Sequence, residues 1–288
     1  MVKDTIITVF VIYICLVSVC ITHVIANDNE ITWLITDWPP WMILEGDDRG
    51  TGRFNHILAL AQKNLPQYKH LEVKMNWSRV WFEISEGKHI CNIFAYKTDA
   101  REKIAYFSEP HTFVLPNAII MKHHNIQKIG NPTSYSIIKL LKDNRFNGII
   151  EKTRSFSFKL DGILEKHLPG SSLIRKTATP ESLIKMIDTN RIDYTIEYPI
   201  VASYFDHKFC MNKGFLSSIL IEELPLYNTV CVACPKNEWG KKVINHWNKV
   251  FRKLKTTDEY RKLTEIGHND ERELTMIRKY YDTFLKIK

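Results

Sequence analysis

The chain has 288 residues, 44% of them hydrophobic and 25% charged, which is the balance of a soluble globular protein. Its 40 basic and 32 acidic side chains leave a net charge of +8. The basic residues are scattered and form no stripe interleaved with aromatic rings. The composition therefore argues against nucleic acid as a partner and is compatible with an anionic ligand.

The N-terminal segment predicts a secretory signal that is cleaved after residues 1–26. Lys3 precedes an apolar run over 6–21, and Val24 and Ala26 fit the small-x-small pattern before a cleavage point. The apolar run is long for a signal, so an uncleaved membrane anchor is the alternative. A cleaved signal predicts that the mature protein is periplasmic.

Strands and helices alternate through the first part of the mature chain. Strands are predicted over 31–36, 71–77 and 89–96. An amphipathic helix stopped by Pro66 lies between the first two strands, and a short helix ended by Gly87 precedes the third. This β-α-β-α-β order predicts a mainly parallel sheet with helices on its faces.

The same alternation restarts after an extended segment at 113–122. Strands at 147–151 and 191–197 alternate with helices, one of which begins with Pro199 in its first turn. A second extended segment covers 225–236 and leads into further helices. These two extended segments are candidates for crossings between two separate α/β units.

The sequence therefore predicts an α/β protein of two lobes, each a mainly parallel sheet flanked by helices. Lobe 1 is expected to comprise residues 27–119 and 228–288, and lobe 2 residues 120–227. Two hinge strands would join the lobes.

Four motifs occur in a fixed order along this arrangement. An aromatic Pro turn, DWPPW, follows the first strand, and RIDYTIEYP and VACPKNEWGKKVINHWN lie in the second half. The most specific motif has the pattern T-x-x-R-x-x-x-x-x-F-S-x-P. It is formed by Thr98, Arg101, Phe107, Ser108 and Pro110. In this order the motifs resemble family 3 extracellular solute-binding proteins, the type II periplasmic binding proteins that capture amino acids for ABC transporters.

The resemblance implies that Arg101 grips the carboxylate of a ligand and that Thr98 lies beside it in an interlobe cleft. A guanidinium can donate two parallel charge-assisted hydrogen bonds to a carboxylate. The residues by themselves leave an alternative open. Arg101 could be an exposed charge or the partner of Asp99 or Glu102 in a structural salt bridge.

Aromatic side chains are expected to line this cleft. Trp38 could present its face to a ligand or serve as a core anchor. Tyr96 occupies a position where the family has a small ligand-contacting residue, so it would fill or reshape the pocket. A lining that includes Trp77 and Trp81 as further candidates fits an apolar or aromatic ligand better than an ordinary α-amino acid.

The second lobe contributes two candidate groups. Thr153 and Ser155 are predicted at the start of a helix, where free N–H groups can receive an anion; N-capping by Ser155 is the alternative. The resemblance also implies an acid that binds the ligand ammonium. Counting along the motif places either Glu197 or Tyr198 there, and Glu197 is preferred because a carboxylate can neutralise an ammonium.

Four cysteines follow the predicted signal: Cys91, Cys210, Cys231 and Cys234. Outside the cytoplasm they can pair in three ways, and the sequence leaves the pairing open. The C-x-x-C at 231–234 lies in a predicted strand rather than opening a helix, which indicates a structural role. No closely spaced pair completes a zinc site, so neither a metal nor a cofactor is predicted.

The leading interpretation is a monomeric, non-enzymatic receptor whose lobes close over a small ligand with a carboxylate. Its partner would be an ABC permease or a membrane sensor. A freestanding sensor or adhesion protein on the same fold is the second interpretation. A hydrolase is the third, and it is disfavoured because the sequence contains neither a G-x-S-x-G elbow nor an H-E-x-x-H motif.

Overall fold

The computed structural model describes residues 28–152, 154, 156–210, 214–268 and 271–287. The predicted signal at 1–26 lies outside the described residues. Within the described part of the chain, no helix combines the length and the apolar character needed to cross a membrane.

Strands and helices alternate as the sequence predicts. The strands are β1 (Glu30–Ile35), β2 (Lys69–Lys74), β3 (Ile90–Ala95), β4 (Ala105–Phe107), β5 (Thr112–Val114), β6 (Ala118–Lys122), β7 (Ser134–Tyr135), β8 (Gly148–Glu151), β9 (Leu173–Lys176), β10 (Tyr194–Glu197), β11 (Leu216–Ile221) and β12 (Asn228–Pro235). The helices are α1 (Arg53–Asn64), α2 (Trp77–Ser85), α3 (Asp99–Glu102), α4 (His123–Gln127), α5 (Ile137–Leu141), α6 (Phe158–His167), α7 (Pro180–Asp188), α8 (Pro199–Phe209), α9 (Glu238–Leu254), α10 (Asp258–Leu263) and α11 (Glu271–Phe284).

The strands form two separate sheets, which with their helices are called lobe 1 and lobe 2. The sheet of lobe 1 has the order β2-β1-β3-β12-β4, with β5 also paired to β12. Strand β1 is parallel to both β2 and β3, whereas β12 returns antiparallel to β3. Lobe 1 is therefore built from two segments that are far apart in the described chain, one before and one after lobe 2.

The sheet of lobe 2 has the order β7-β11-β6-β10-β8-β9. Strand β8 is parallel to β9 and β10, and β6 is antiparallel to β10 and β11. The α/β class with two helix-flanked sheets is thus confirmed. Strand β11, which the sequence analysis missed, fills the place between β7 and β6.

Two predicted elements are corrected by local backbone chemistry. The extended segment 113–122 is divided into β5 and β6 around Pro116, which has no N–H to donate to a sheet. The helix expected to start within 151–157 is α6, and it begins only at Phe158. The Ser157 hydroxyl caps it by accepting a hydrogen bond from the Leu160 backbone N–H at 3.2 Å. The N-cap is therefore Ser157 and not Ser155.

The largest hydrophobic core lies in lobe 1, between its sheet and helices α1 and α9. Trp33 and Trp247 are fully buried there, with ring centroids 5.6 Å apart. Tyr198, Ile200 and Val201, at the start of α8, also belong to this core. Because α8 packs against lobe 2 through α7, its N-terminal residues bring the two lobes into direct apolar contact.

A disulfide between Cys91 and Cys234 joins β3 to β12. Cys210 and Cys231 are buried free thiols. Of the two cysteines in the C-x-x-C motif, Cys234 forms the disulfide and Cys231 is a free thiol. This arrangement agrees with a structural role for the motif. Burial raises the pKa of the Cys231 thiol to about 11, so it stays protonated and unreactive at neutral pH.

Candidate functional site

The predicted site residues lie at ends of strands that face each other across the two lobes. Trp38 follows β1, Tyr96 follows β3, and Arg101 lies in the short helix α3 just beyond. Glu197 ends β10, and Tyr198 directly precedes α8. Ligands of open α/β sheets bind beyond the carboxyl ends of the strands. In this protein the five residues lie at such ends and are connected to one another by contacts.

The Arg101 side chain is half-buried against lobe 1. Its Nη1 donates to the backbone carbonyl of Tyr96 at 3.0 Å, and its guanidinium carbon lies 4.1 Å from the centroid of the Trp81 ring. Burial lowers the pKa of Arg101 without discharging it at neutral pH. One nitrogen and one face of the guanidinium are thus engaged, and its other donors are not used by these contacts.

The structural salt bridge considered for Arg101 is not formed. Glu102 pairs instead with Lys97, with 2.8 Å between Oε1 and Nζ. Among the residues that the structure describes, no carboxylate lies within ion-pair distance of the Arg101 guanidinium. A half-buried cation without an anionic partner is expected to attract one.

Thr98 has a structural contact of its own. It is the N-cap of α3, and its hydroxyl accepts a hydrogen bond from the Arg101 backbone N–H at 3.3 Å. Thr98 therefore fixes the start of the turn that carries the guanidinium. Its role as a ligand contact stays a prediction.

Aromatic rings fill the space between the lobes. The hydroxyl groups of Tyr96 and Tyr198 are 3.0 Å apart, and Trp38 packs edge-on against Tyr198 and Phe94, at centroid distances of 5.8 and 5.2 Å. Burial, together with the neighbouring hydroxyl, raises the pKa of Tyr96, and burial raises that of Tyr198. Both phenols are neutral at physiological pH, so one can donate to the other.

The buried acid of the cleft is paired within the protein. Glu197 is 2% exposed, and its two carboxylate oxygens receive Nη1 and Nη2 of Arg154, the Nη2 bond measuring 2.6 Å. The backbone N–H of Tyr198 also donates to Oε1 of Glu197 at 2.7 Å. Glu197 therefore lies in the cleft as half of an ion pair, whereas Tyr198 faces lobe 1.

Arg154 is the main site residue that sequence reasoning did not select. Its guanidinium carbon lies 5.5 Å from the Tyr198 ring centroid and 5.0 Å from that of Phe156, and Nη2 reaches Oδ1 of Asn117 at 3.3 Å. Its only sequence signal was its position between the predicted residues Thr153 and Ser155. Those two residues lie outside the described part of the chain.

Arg175 supports the loop that carries Arg154. Its Nη1 donates to the backbone carbonyl of Arg154 at 3.0 Å and to that of Glu151 at 3.2 Å. These bonds hold the chain beyond β8 against the end of β9. The position of Arg154 is therefore set by a residue from the neighbouring strand.

A polar contact also crosses the outside of the cleft. Asp48, from the loop after β1, accepts hydrogen bonds from the Tyr204 hydroxyl at 3.0 Å and from Lys208 Nζ at 2.6 Å, both in α8. The Lys208 and Tyr204 donors lower the pKa of Asp48, Lys208 having the larger effect. The loop after β1 therefore contacts the region of α8 in two places. Trp38 meets Tyr198 inside the cleft, and Asp48 meets Tyr204 and Lys208 at its rim.

Where Trp38 and Tyr96 contact Tyr198, their rings occupy the space between the lobes. A cavity of about 20 Å³ lies beside Trp38, Trp41 and Asn92, enough for about one water molecule. A larger cavity of about 390 Å³ lies elsewhere, between the end of α1 and helix α9. A ligand of amino-acid size would have to displace these ring contacts to lie between the lobes.

Known proteins were compared by sequence and by structure. No protein-family model and no curated protein sequence matches the chain. Solved structures match over most of its length, and the class that they define is the two-lobed solute-binding fold. At this level of identity the likeness shows the fold alone.

Three of these structures illustrate the match. An ancestral cationic amino acid solute binding protein is 18% identical, with a TM-score of 0.64 over 82% of this chain and 94% of its own. The probable amino-acid ABC transporter extracellular-binding protein YtmK from Bacillus subtilis is 18% identical, with a TM-score of 0.64 over 84% and 98%. The substrate-binding protein AbpA from Streptococcus pneumoniae, bound to L-arginine, is 20% identical, with a TM-score of 0.60 over 86% and 96%.

Proposed function

We propose that the protein is a divergent family 3 solute-binding protein, a non-enzymatic receptor that closes its lobes over a small organic ligand. The observation that carries this proposal is the half-buried Arg101 guanidinium in the cleft, which has no ion-pair partner among the described residues. In a closed cleft with little water, a carboxylate paired with this cation would gain orientation as well as affinity. The fold supports the same conclusion, since its neighbours are amino-acid substrate-binding proteins.

The remaining roles follow from this proposal. Trp38, Tyr96 and Tyr198 would line the ligand after the lobes separate and close again, and Thr98 would hold the Arg101 turn. The receptor would be an exported, periplasmic monomer that works with an ABC permease or a membrane sensor. No catalytic step and no cofactor is proposed.

The test is a thermal-shift screen of the mature protein against amino acids, organic acids and small peptides. A ligand present at about 100 times its Kd should stabilise the folded protein by about 2.7 kcal/mol. In the Arg101→Ala variant that gain should disappear while the unliganded protein remains folded. Arg145→Ala is the matched control, because Arg145 is exposed and pairs with Asp143 outside the cleft. If Arg101→Ala keeps the gain, the assignment of the carboxylate clamp is wrong.

A further inference from the structure

The charges around the cleft do not match those of a zwitterion. Arg154 is paired with the Glu197 carboxylate, whereas the Arg101 guanidinium has no carboxylate within ion-pair distance among the described residues. Glu197, with smaller contributions from Tyr198 and Glu151, outweighs the effect of burial and raises the pKa of Arg154. The positive charge that remains lies on the side of Arg101.

We propose that the cleft selects a monocarboxylate with an apolar or aromatic tail and no ammonium group over the corresponding α-amino acid. Arg101 would bind the carboxylate, and the Arg154–Glu197 pair would remain closed as part of the wall. This inference rests on the proposed function and specifies its class of ligand.

A ligand ammonium would need a carboxylate that is not already paired. Both oxygens of Glu197 are taken by Arg154, and Oε1 also accepts from the Tyr198 backbone N–H. A ligand ammonium could bind Glu197 only by displacing Arg154, whose side chain is 17% exposed. Displacement would leave a largely buried guanidinium without its partner, which is strongly unfavourable.

The rings of Tyr198 and Trp81 already have guanidinium groups beside them. An ammonium can also be held over an aromatic face, but the Arg154 guanidinium carbon already lies 5.5 Å from the Tyr198 ring centroid. A second cation there would be repelled by the first, and the repulsion is stronger where water is excluded. Trp81 is covered in the same way, because Arg101 stacks on it at 4.1 Å.

The rings between the lobes favour an apolar or aromatic tail. Trp38, Phe94, Tyr96 and Tyr198 contact one another between the lobes through their rings. When the lobes reopen and close, an apolar or aromatic tail would pack against these rings in place of one of their present neighbours. The packing lost on opening would then be restored by the ligand. A polar tail would lose hydration there without a matching set of donors.

The experiment compares ligands that differ only in one charged group, with titration calorimetry on the mature protein. The probes are 3-phenylpropanoate, L-phenylalanine and 2-phenylethylamine, together with 4-methylpentanoate and L-leucine as an aliphatic pair. Each acid should bind at least about tenfold more tightly than its amino acid. The amine should show no binding, and Arg101→Gln should abolish binding of the acids.

A variant tests the assigned cause of the preference. Arg154→Gln removes the partner of Glu197 and leaves its carboxylate available, so the ratio of acid to amino-acid affinity should fall by about tenfold or more. Arg154→Lys keeps the charge and serves as a second variant, in which the ratio should stay closer to that of the wild type. Arg145→Gln is the control and should leave the ratio unchanged.

The outcomes separate the inference from the function on which it rests. If L-phenylalanine or L-leucine binds more tightly than its acid, the ammonium has found a counter-charge and the inference is overturned. If none of these five compounds binds but another compound in the broad screen does, the inference falls and the receptor function stands. If nothing binds at all, both are overturned.

Discussion

His111 shows how burial changes the chemistry of a titratable side chain. It is 1% exposed, between Phe54, Trp247 and Phe251. Its Nε2 lies 3.0 Å from the Ile93 carbonyl oxygen, so the neutral ring is held as a donor. Burial lowers the pKa of His111 from 6.5 to about 3.

The first prediction concerns stability against pH. Between about pH 6.5 and about 3 the unfolded chain binds a proton at His111 that the folded chain does not. The stability from this residue is therefore present above about pH 6.5 and is lost as the pH falls, by roughly 3 kcal/mol at about pH 4. The free energy of unfolding of the wild type and of His111→Gln, measured by urea unfolding between about pH 6.5 and about pH 4, tests this loss. The variant should show a shallower decline, and equal slopes would contradict the assignment.

At the scale of elements, the disulfide fixes the pairing on which lobe 1 depends. Strand β12 reaches the sheet from the far end of the chain, and Cys91 and Cys234 are separated by 143 residues. Closing so long a loop in the unfolded chain removes much of its entropy, about 4 to 5 kcal/mol in the chain-entropy model. The bond therefore favours the return of β12 beside β3.

The second prediction is that replacing the disulfide destabilises the protein substantially. The double variant Cys91→Ala and Cys234→Ala should lose about 2–4 kcal/mol of unfolding free energy, measured by the denaturant midpoint in oxidising buffer. Cys231→Ala is the matched control, a buried free thiol in the same strand. It should lose roughly 1 kcal/mol. Similar losses in both variants would mean that the cross-link contributes little beyond packing.

At the scale of the whole molecule, two kinds of contact hold the lobes together. The rim contact joins Asp48 to Lys208, whose side chains are 44% and 39% exposed. Ion pairs exposed to this extent contribute about 0–1 kcal/mol. Tyr198 is 4% exposed within the lobe 1 core, and burial of an aromatic ring of this size is worth roughly 3–5 kcal/mol. Aromatic packing should therefore decide the equilibrium between open and closed forms.

The third prediction follows from this difference in magnitude. Tyr198→Ala should shift the unliganded protein toward the open form, seen as a larger radius of gyration in small-angle X-ray scattering. Asp48→Asn should leave the radius close to that of the wild type. A larger radius in Asp48→Asn than in Tyr198→Ala would show that the polar rim, and not the ring packing, holds the lobes closed.

The sequence by itself determined the class of fold and most of the alternation of strands and helices, although it missed β11. The alternation of strands and helices, the Thr179 cap of α7 and the Pro199 start of α8 are local signals, readable within a few residues. The motif around Arg101 likewise predicted a guanidinium for the cleft, because its residues are close together in the chain, and its role as a ligand contact stays a prediction.

Only the tertiary structure decided which side chains meet. The Arg154–Glu197 pair spans 43 residues, the Tyr96–Tyr198 contact 102 and the disulfide 143. Such pairs depend on strand order, register and the packing of the lobes, which are set by the whole chain at once. The sequence could therefore propose Glu197 as an acid of the cleft, a role that stays a prediction, but it could not show that Arg154 pairs with it.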